Sequence, residues 1–190
     1  MSSNNIILKI GGREFEKEWF DIRVNRSMDS ICSSFEFSAS QNTPFNWEDW
    51  QIKMGEACEV FIDETQVLSG YIEDINIDYD KSNHNVQIAG RDFTCDLVDC
   101  QKADAPYGWM RTRVIHIVRD LCRPHDIEVV IDPSATSAAS KTIDFFSTES
   151  GTAVAESLAQ ITKWARIVPM ASTDGKLLLT LAGSKHATNI

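Results

Sequence analysis

No stretch of the chain stays apolar long enough to cross a bilayer as a helix, which needs about 20 such residues. Met1 to Asn5 is polar and Ile6 already opens an alternating pattern, so no secretory signal is expected. Positive charge is scarce. Lys and Arg total 18 against 28 Asp and Glu, a formal net charge of −10. Such a balance repels phosphate backbones and anionic lipid surfaces, and it disfavours nucleic-acid binding. Cysteine forms no framework. The five thiols, Cys32, Cys58, Cys95, Cys100 and Cys122, are scattered and odd in number, which fits reduced thiols in a cytosolic compartment. Cys95 and Cys100 lie close enough in sequence to pair under oxidation, but packing is the expected role.

Motifs for chemistry are missing too. His84, His116, His125 and His186 are far apart and no Cys-x-x-Cys occurs. Cys122 and His125 supply two ligands, too few for a structural zinc, and Cys122 falls on an apolar helix face. No nucleophile elbow or Ser-x-x-Lys is found, and no Cys stands beside a His with an orienting third group. Gly11-Gly12 lacks a following Lys-Ser/Thr and reads as a turn rather than a phosphate loop. Glu73, Asp74, Asp78 and Asp80 are dense, yet their spacing lacks the Gly and terminal Glu of a calcium loop, so a solvated strand face explains them. The expectation is no enzyme, no metal and no cofactor.

What the 190 residues do contain is enough apolar content, 43%, for one large core or two small ones. The first ninety alternate as antiparallel strands with one wet face. Ile6, Leu8 and Ile10 lead into Gly11-Gly12, and Arg13 to Phe15 returns. Phe20, Ile22 and Val24 share a face, as do Phe35, Phe37 and Ala39. Cys58, Val60 and Ile62 follow, then a long strand from Val67 to Tyr79 with Ile75, Ile77 and Tyr79 inward, then Asn85 to Ala89. About six strands joined by short turns predict a closed or nearly closed antiparallel barrel over residues 1–92. Trp47 and Trp50 lie in the loop Gln41 to Trp50. They either plug the open end of the barrel, the favoured reading, or form with Trp109 a stacking platform for carbohydrate.

The period changes between Gly90 and Cys100. Val86 and Ile88 alternate, whereas Phe93, Leu97 and Val98 follow helical spacing. A short helix and linker are expected over 93–110, with Lys102 to Met110 irregular. A small α/β domain is expected over 111–190, making the fold class α+β. Thr112 is the expected N-cap of a helix burying Val114, Ile115, Ile117, Val118, Leu121 and Cys122, ended by Pro124. Ile127 to Ile131 reads as a strand and Pro133 to Lys141 as a loop. A second helix, capped by Thr148 or Ser150, buries Val154, Leu158, Ile161 and Ala165. A hairpin of Ile167 to Ala171 and Leu177 to Leu181 closes at Asp174-Gly175, with positive φ expected there. The candidate site is the seam itself: Gly90 for a sharp backbone turn, with Asp92, Asp96 and Asp99 orienting Arg91 and the short helix. These residues form either an inter-subunit contact or an intrachain cap that fixes the angle between domains.

Several segments in order carry a resemblance: Ile-Leu-Lys-Ile-Gly-Gly at Ile7 to Gly12, Asp21 to Asp29, Ser-Phe-Glu-Phe at Ser34 to Phe37, Met54-Gly55-Glu56, Leu68 to Glu73, and Ala89 to Cys100. Together they resemble the baseplate hub proteins of Mu-type contractile-tailed phages and, more distantly, the base of type VI secretion spikes. The resemblance runs through Ala182. It implies a structural part of a virion tail baseplate, assembled in the bacterial cytoplasm. It implies a homotrimeric ring whose barrels mimic a sixfold collar, meeting the tail tube on one side and the central spike on the other. DNA would pass through the channel without specific binding, as an acidic wall allows. Family members usually continue into a second barrel, so one barrel per subunit gives a trimer three rather than six.

Overall fold

The computed structural model describes residues 5–16, 19–40, 52–79, 84–102 and 107–183. The chain divides into two compact units. The first comprises residues 1–26, 33–93 and 173–175, and the second 27–32, 94–172 and 176–190.

Among the described residues the first unit is one antiparallel sheet of seven strands: β1 (Ile6–Ile10), β2 (Arg13–Phe15), β3 (Trp19–Asn25), β4 (Ser34–Ser40), β5 (Ala57–Ile62), β6 (Thr65–Tyr79) and β7 (His84–Asp92). The strands lie in the order β2-β1-β5-β6-β7-β4-β3. Leu8 and Ile10 of β1, Phe35 and Phe37 of β4, and Val60, Leu68, Ile72, Val86 and Ile88 between them form one core. A sheet whose near-terminal strands share a core is rolled on itself.

The roll stays open, so of the two expected forms, closed or nearly closed, the nearly closed one remains. Among the described residues β2 and β3 end the sheet and no ladder joins them. β2 is only three residues long, with Arg13 and Glu14 exposed. A side-chain link stands where a ladder would be: Trp19 Nε1 donates to the Phe15 carbonyl at 3.2 Å, and the Trp19 ring meets Phe37 edge-on at 5.0 Å. Short, charged end strands are a common defence against edge-to-edge pairing.

Three register shifts interrupt the described ladders, one of them between Val60 and Phe61 opposite Val67, and the other two displace residues from their expected faces. Register shifts between Trp19 and Asp21, so Phe20 is the extra residue and is 65% exposed, while Trp19 points inward. It shifts again between Ile72 and Asp74, making Glu73 the extra residue of β6. Each added residue inverts the alternation beyond it. Ile75 packs against the core as expected, but Ile77 lies beyond it and is exposed.

The second unit holds α1 (Cys95–Asp99), β8 (Gly108–Arg113), α2 (Val114–Cys122), β9 (Val129–Ile131), α3 (Thr136–Ala139), β10 (Thr142–Ser147), α4 (Val154–Ala165), β11 (Val168–Ala171) and β12 (Leu177–Thr180). All six predicted apolar positions of α2 are buried, as are Val154, Leu158, Ile161 and Ala165 of α4, and Leu177 and Leu179 of β12. β12 runs parallel to β9 and antiparallel to β11.

Five local expectations fail here. Gly108 to Met110 belongs to a strand, paired with β10, rather than to a linker. Thr112 therefore lies in that strand, its hydroxyl donating to the Met110 carbonyl at 2.9 Å, and does not cap α2. Pro133 to Lys141 contains a 3-10 turn and α3, and β10 begins at Thr142. The cap of α4 is Ala153, while the Thr148 hydroxyl meets that of Ser157 at 2.6 Å in a buried pair inside the first turn. The β11–β12 hairpin needs positive φ at Gly175 (79°) but not at Asp174. Ser172 N–H donates to the Lys176 carbonyl at 2.8 Å, leaving a three-residue loop with its left-handed residue last.

Candidate functional site

The predicted seam residues begin in the β6–β7 pair, where backbones approach closely at Gly70 and Gly90. Tyr71 faces Arg91 and Ile72 faces Gly90, and then the bulge lets Asp74 face Ala89. Gly90 also faces Phe35 of β4. A Cβ on Gly90 would collide with the Tyr71 carbonyl and come within 2.5 Å of the Phe35 ring carbon Cζ. Gly70, opposite Asp92, is equally constrained: its Cβ would strike the Arg91 carbonyl and lie 2.5 Å from Asp92 Cα. The two glycines allow close approach of backbones, and Phe35 covers the bare strand at Gly90. Gly90 thus serves packing rather than the sharp turn expected of it.

Arg91 is held by Glu73. Its Nε donates to Glu73 Oε2 at 2.7 Å and its Nη2 to Oε1 at 2.6 Å, a two-pronged brace across the bulge. Glu73 is a partner that the expected orientation by the three aspartates did not include. The extra residue of the bulge brings a carboxylate from eighteen positions earlier beside the guanidinium. Both side chains are about one-third exposed, so water screens the pair and it contributes about 1 kcal/mol at most.

Asp92 does different work. It is 1% exposed, and its Oδ2 accepts the Ser33 N–H at 2.7 Å. Its own N–H donates to the Ser33 carbonyl at 3.1 Å. This reciprocal pair clamps the end of β7 to the residue before β4. Asp96 and Asp99 belong to the second unit: Asp96 in the first turn of α1, where a carboxylate is favoured, and Asp99 at its exposed end. The start of α1 is tied by the Thr94 hydroxyl, which donates to the Ile31 carbonyl at 2.8 Å.

The other candidates separate. Trp109 is 5% exposed, stacked obliquely on Phe146, with its Nε1 donating to Asp120 Oδ2 at 3.0 Å. It is a core residue and offers no stacking platform; Trp47 and Trp50 lie outside the described residues. Of the dense carboxylates, Glu73 braces Arg91, Asp74 accepts from Asn76 Nδ2 at 2.9 Å and Asp78 is exposed, while Asp80 lies outside the described residues. Among the described residues no group of three His, Cys, Asp or Glu is placed to hold a metal ion, and no helix is long and apolar enough to cross a membrane.

Cys58, Cys100 and Cys122 are free thiols. Burial pushes Cys58 up to about 12, a backbone hydrogen bond from Gly70 opposing it, and burial alone takes Cys122 to about 12. Both folded values lie above the ordinary 9.0, so the neutral thiol is favoured in the folded state. Their contribution to stability is complete below pH 9 and is lost as pH rises through about 12. At pH 8 a thiol-reactive chromophore is expected to label exposed Cys100 rapidly, and Cys58 and Cys122 only after urea is added. Rapid labelling of either buried thiol in the native protein would contradict the packing described.

Two family models match this chain end to end. Residues 5–92 match the Mu phage baseplate assembly protein GpP-like N-terminal domain, and residues 94–181 match the second domain of gp44-like baseplate hub proteins. The chain belongs to the Mu-type baseplate hub family. Baseplate hub protein gp44 of Escherichia phage Mu is 26% identical over 182 residues, covering 96% of this chain and 47% of that protein. The 43 kDa tail protein of prophage MuSo2 from Shewanella oneidensis superposes with a TM-score of 0.85 at 27% identity, over 98% of this chain and 58% of that one. A tail protein of Neisseria meningitidis MC58 shares the fold, with a TM-score of 0.79 at 22% identity, over 93% of this chain and 50% of that one. The hub-family chain therefore spans about half the length of the relatives it matches.

Glu73 and Ser33 are the partners that sequence reasoning missed. A signal for the first was present: Leu68 and Ile72 sit at even positions and Ile75 and Ile77 at odd ones, and this parity change marks the bulge.

Proposed function

We propose that this chain is the leading portion of a structural subunit in a phage tail baseplate hub. Three copies form a ring between the tail tube and the central spike, with a channel through which DNA passes unbound. The observation that carries this reading is the unbroken pair of family matches, hub domain followed by hub domain, over residues 5–181. A net charge of −10 supports the channel, because an acidic wall repels phosphate. The close packing at Gly90 and the side-chain contacts of Arg91 and Asp92 brace the sheet internally, which favours the scaffold role of these residues over an inter-subunit one.

Light scattering at increasing concentration is expected to give three times the chain mass, and a low-salt mobility shift is expected to leave duplex DNA free. A chain that stays monomeric throughout contradicts the ring. Tight duplex binding contradicts the channel.

A further inference from the structure

Among the described residues the second unit carries a raised apolar feature and a hollow that its own fold does not use. The raised feature is the β8–β10 ribbon. Met110 and Phe145 are direct cross-strand partners on its outer face, 75% and 62% exposed. Trp109 and Phe146 seal the opposite face. Two-stranded ribbons are marginal alone, and a large apolar pair left in water on one marks a surface that something covers.

The hollow is a groove of about 920 Å³ beside α4. Ala155, Ala159 and Thr162 line it at helical spacing, where small side chains leave a trough. Met28 and Val98, both exposed, add apolar wall. Its third side is Val168–Pro169 of β11, the outer strand of its sheet.

We propose that the occupant of this groove is a second copy of the chain, whose β8–β10 ribbon inserts Met110 and Phe145. Charge complementarity identifies the partner. Asp29, Glu156 and Lys163 line the groove, and all three are exposed. The ribbon carries exposed Arg111, Arg113 and Asp144. Two acids and a base thus meet two bases and an acid, and none of these side chains is ion-paired within the described residues of its own chain. The two patches differ, so the contact is head-to-tail, the kind that closes into a ring when the rotation allows. The proposal rests on the ring reading above and specifies the surface that makes the ring.

The test uses the 190-residue chain with Cys100→Ser as background, since that thiol is exposed. One preparation carries Met110→Cys and another Ala159→Cys. Mixed under mild oxidation, they are expected to form a covalent dimer several-fold more abundant than either makes alone. Met110→Asp with Phe145→Asp is expected to raise the concentration needed for trimers at least tenfold, while the melting temperature of the dissociated chain stays unchanged, because in the separate chain both side chains lie in water. Glu156→Arg weakens association likewise, and Arg113→Glu restores it in part. A wild-type trimer that neither cross-links nor responds to these changes overturns this interface and leaves the ring standing. A wild-type monomer without cross-linking overturns both.

Discussion

Gly90→Ala is expected to destabilise the first unit by about 3 kcal/mol or more, enough to unfold much of it at 37 °C. The cause is steric and two-sided. The new methyl meets the Tyr71 carbonyl on one neighbour and the Phe35 ring on the other. The ring is itself 3% exposed and packed edge-on against Phe37 at 5.7 Å, so it has nowhere to retreat. Backbone conformation is not the issue, because Gly90 does not take positive φ. Gly11→Ala makes the control: its φ is +56° and its Cβ would meet nothing within 4 Å. That substitution carries only the left-handed penalty, about 1–2 kcal/mol. Urea midpoints of the two variants decide the matter, and Gly90→Ala no worse than Gly11→Ala would refute the crowding argument.

The second large effect is expected at Asp92→Ala, about 2–4 kcal/mol. The loss is not simply one hydrogen bond. Ser33 is 6% exposed, so its N–H would be left in the interior without the carboxylate it now donates to. An unsatisfied buried donor costs more than the bond was worth, and bonds to charged acceptors sit at the upper end. Asp92→Asn keeps an acceptor oxygen and should recover about half. If Asp92→Ala stays within about 0.5 kcal/mol of wild type, the reciprocal clamp is not holding β7 to β4.

These sites show how far the sequence alone reaches. α2 was legible because six apolar residues recur at helical spacing and all six are buried. The strands of the first unit were legible from alternation, except where an extra residue changed its parity. Phe20 and Glu73 sit at those bulges, one turned into solvent and the other onto Arg91. β8 and β10 were not legible, since Trp109 and Phe146 face in while Met110 and Phe145 face out, which erases the two-residue period. Alternation left the barrel closed or nearly closed because it does not count ladder partners; β2, with three residues, supplies few of them. Partners such as Glu73 for Arg91, or Ser33 for Asp92, depend on register across the sheet. Local spacing favoured nearby aspartates in their place.

The account is tested most directly by averaging electron cryomicroscopy images of intact tails that carry this protein. It predicts three copies about the tail axis where tube gives way to spike, each with the rolled seven-stranded sheet, and with the β8–β10 ribbon of each lodged beside α4 of the next. Tails that lack the chain, or that carry it away from the axis, would contradict it.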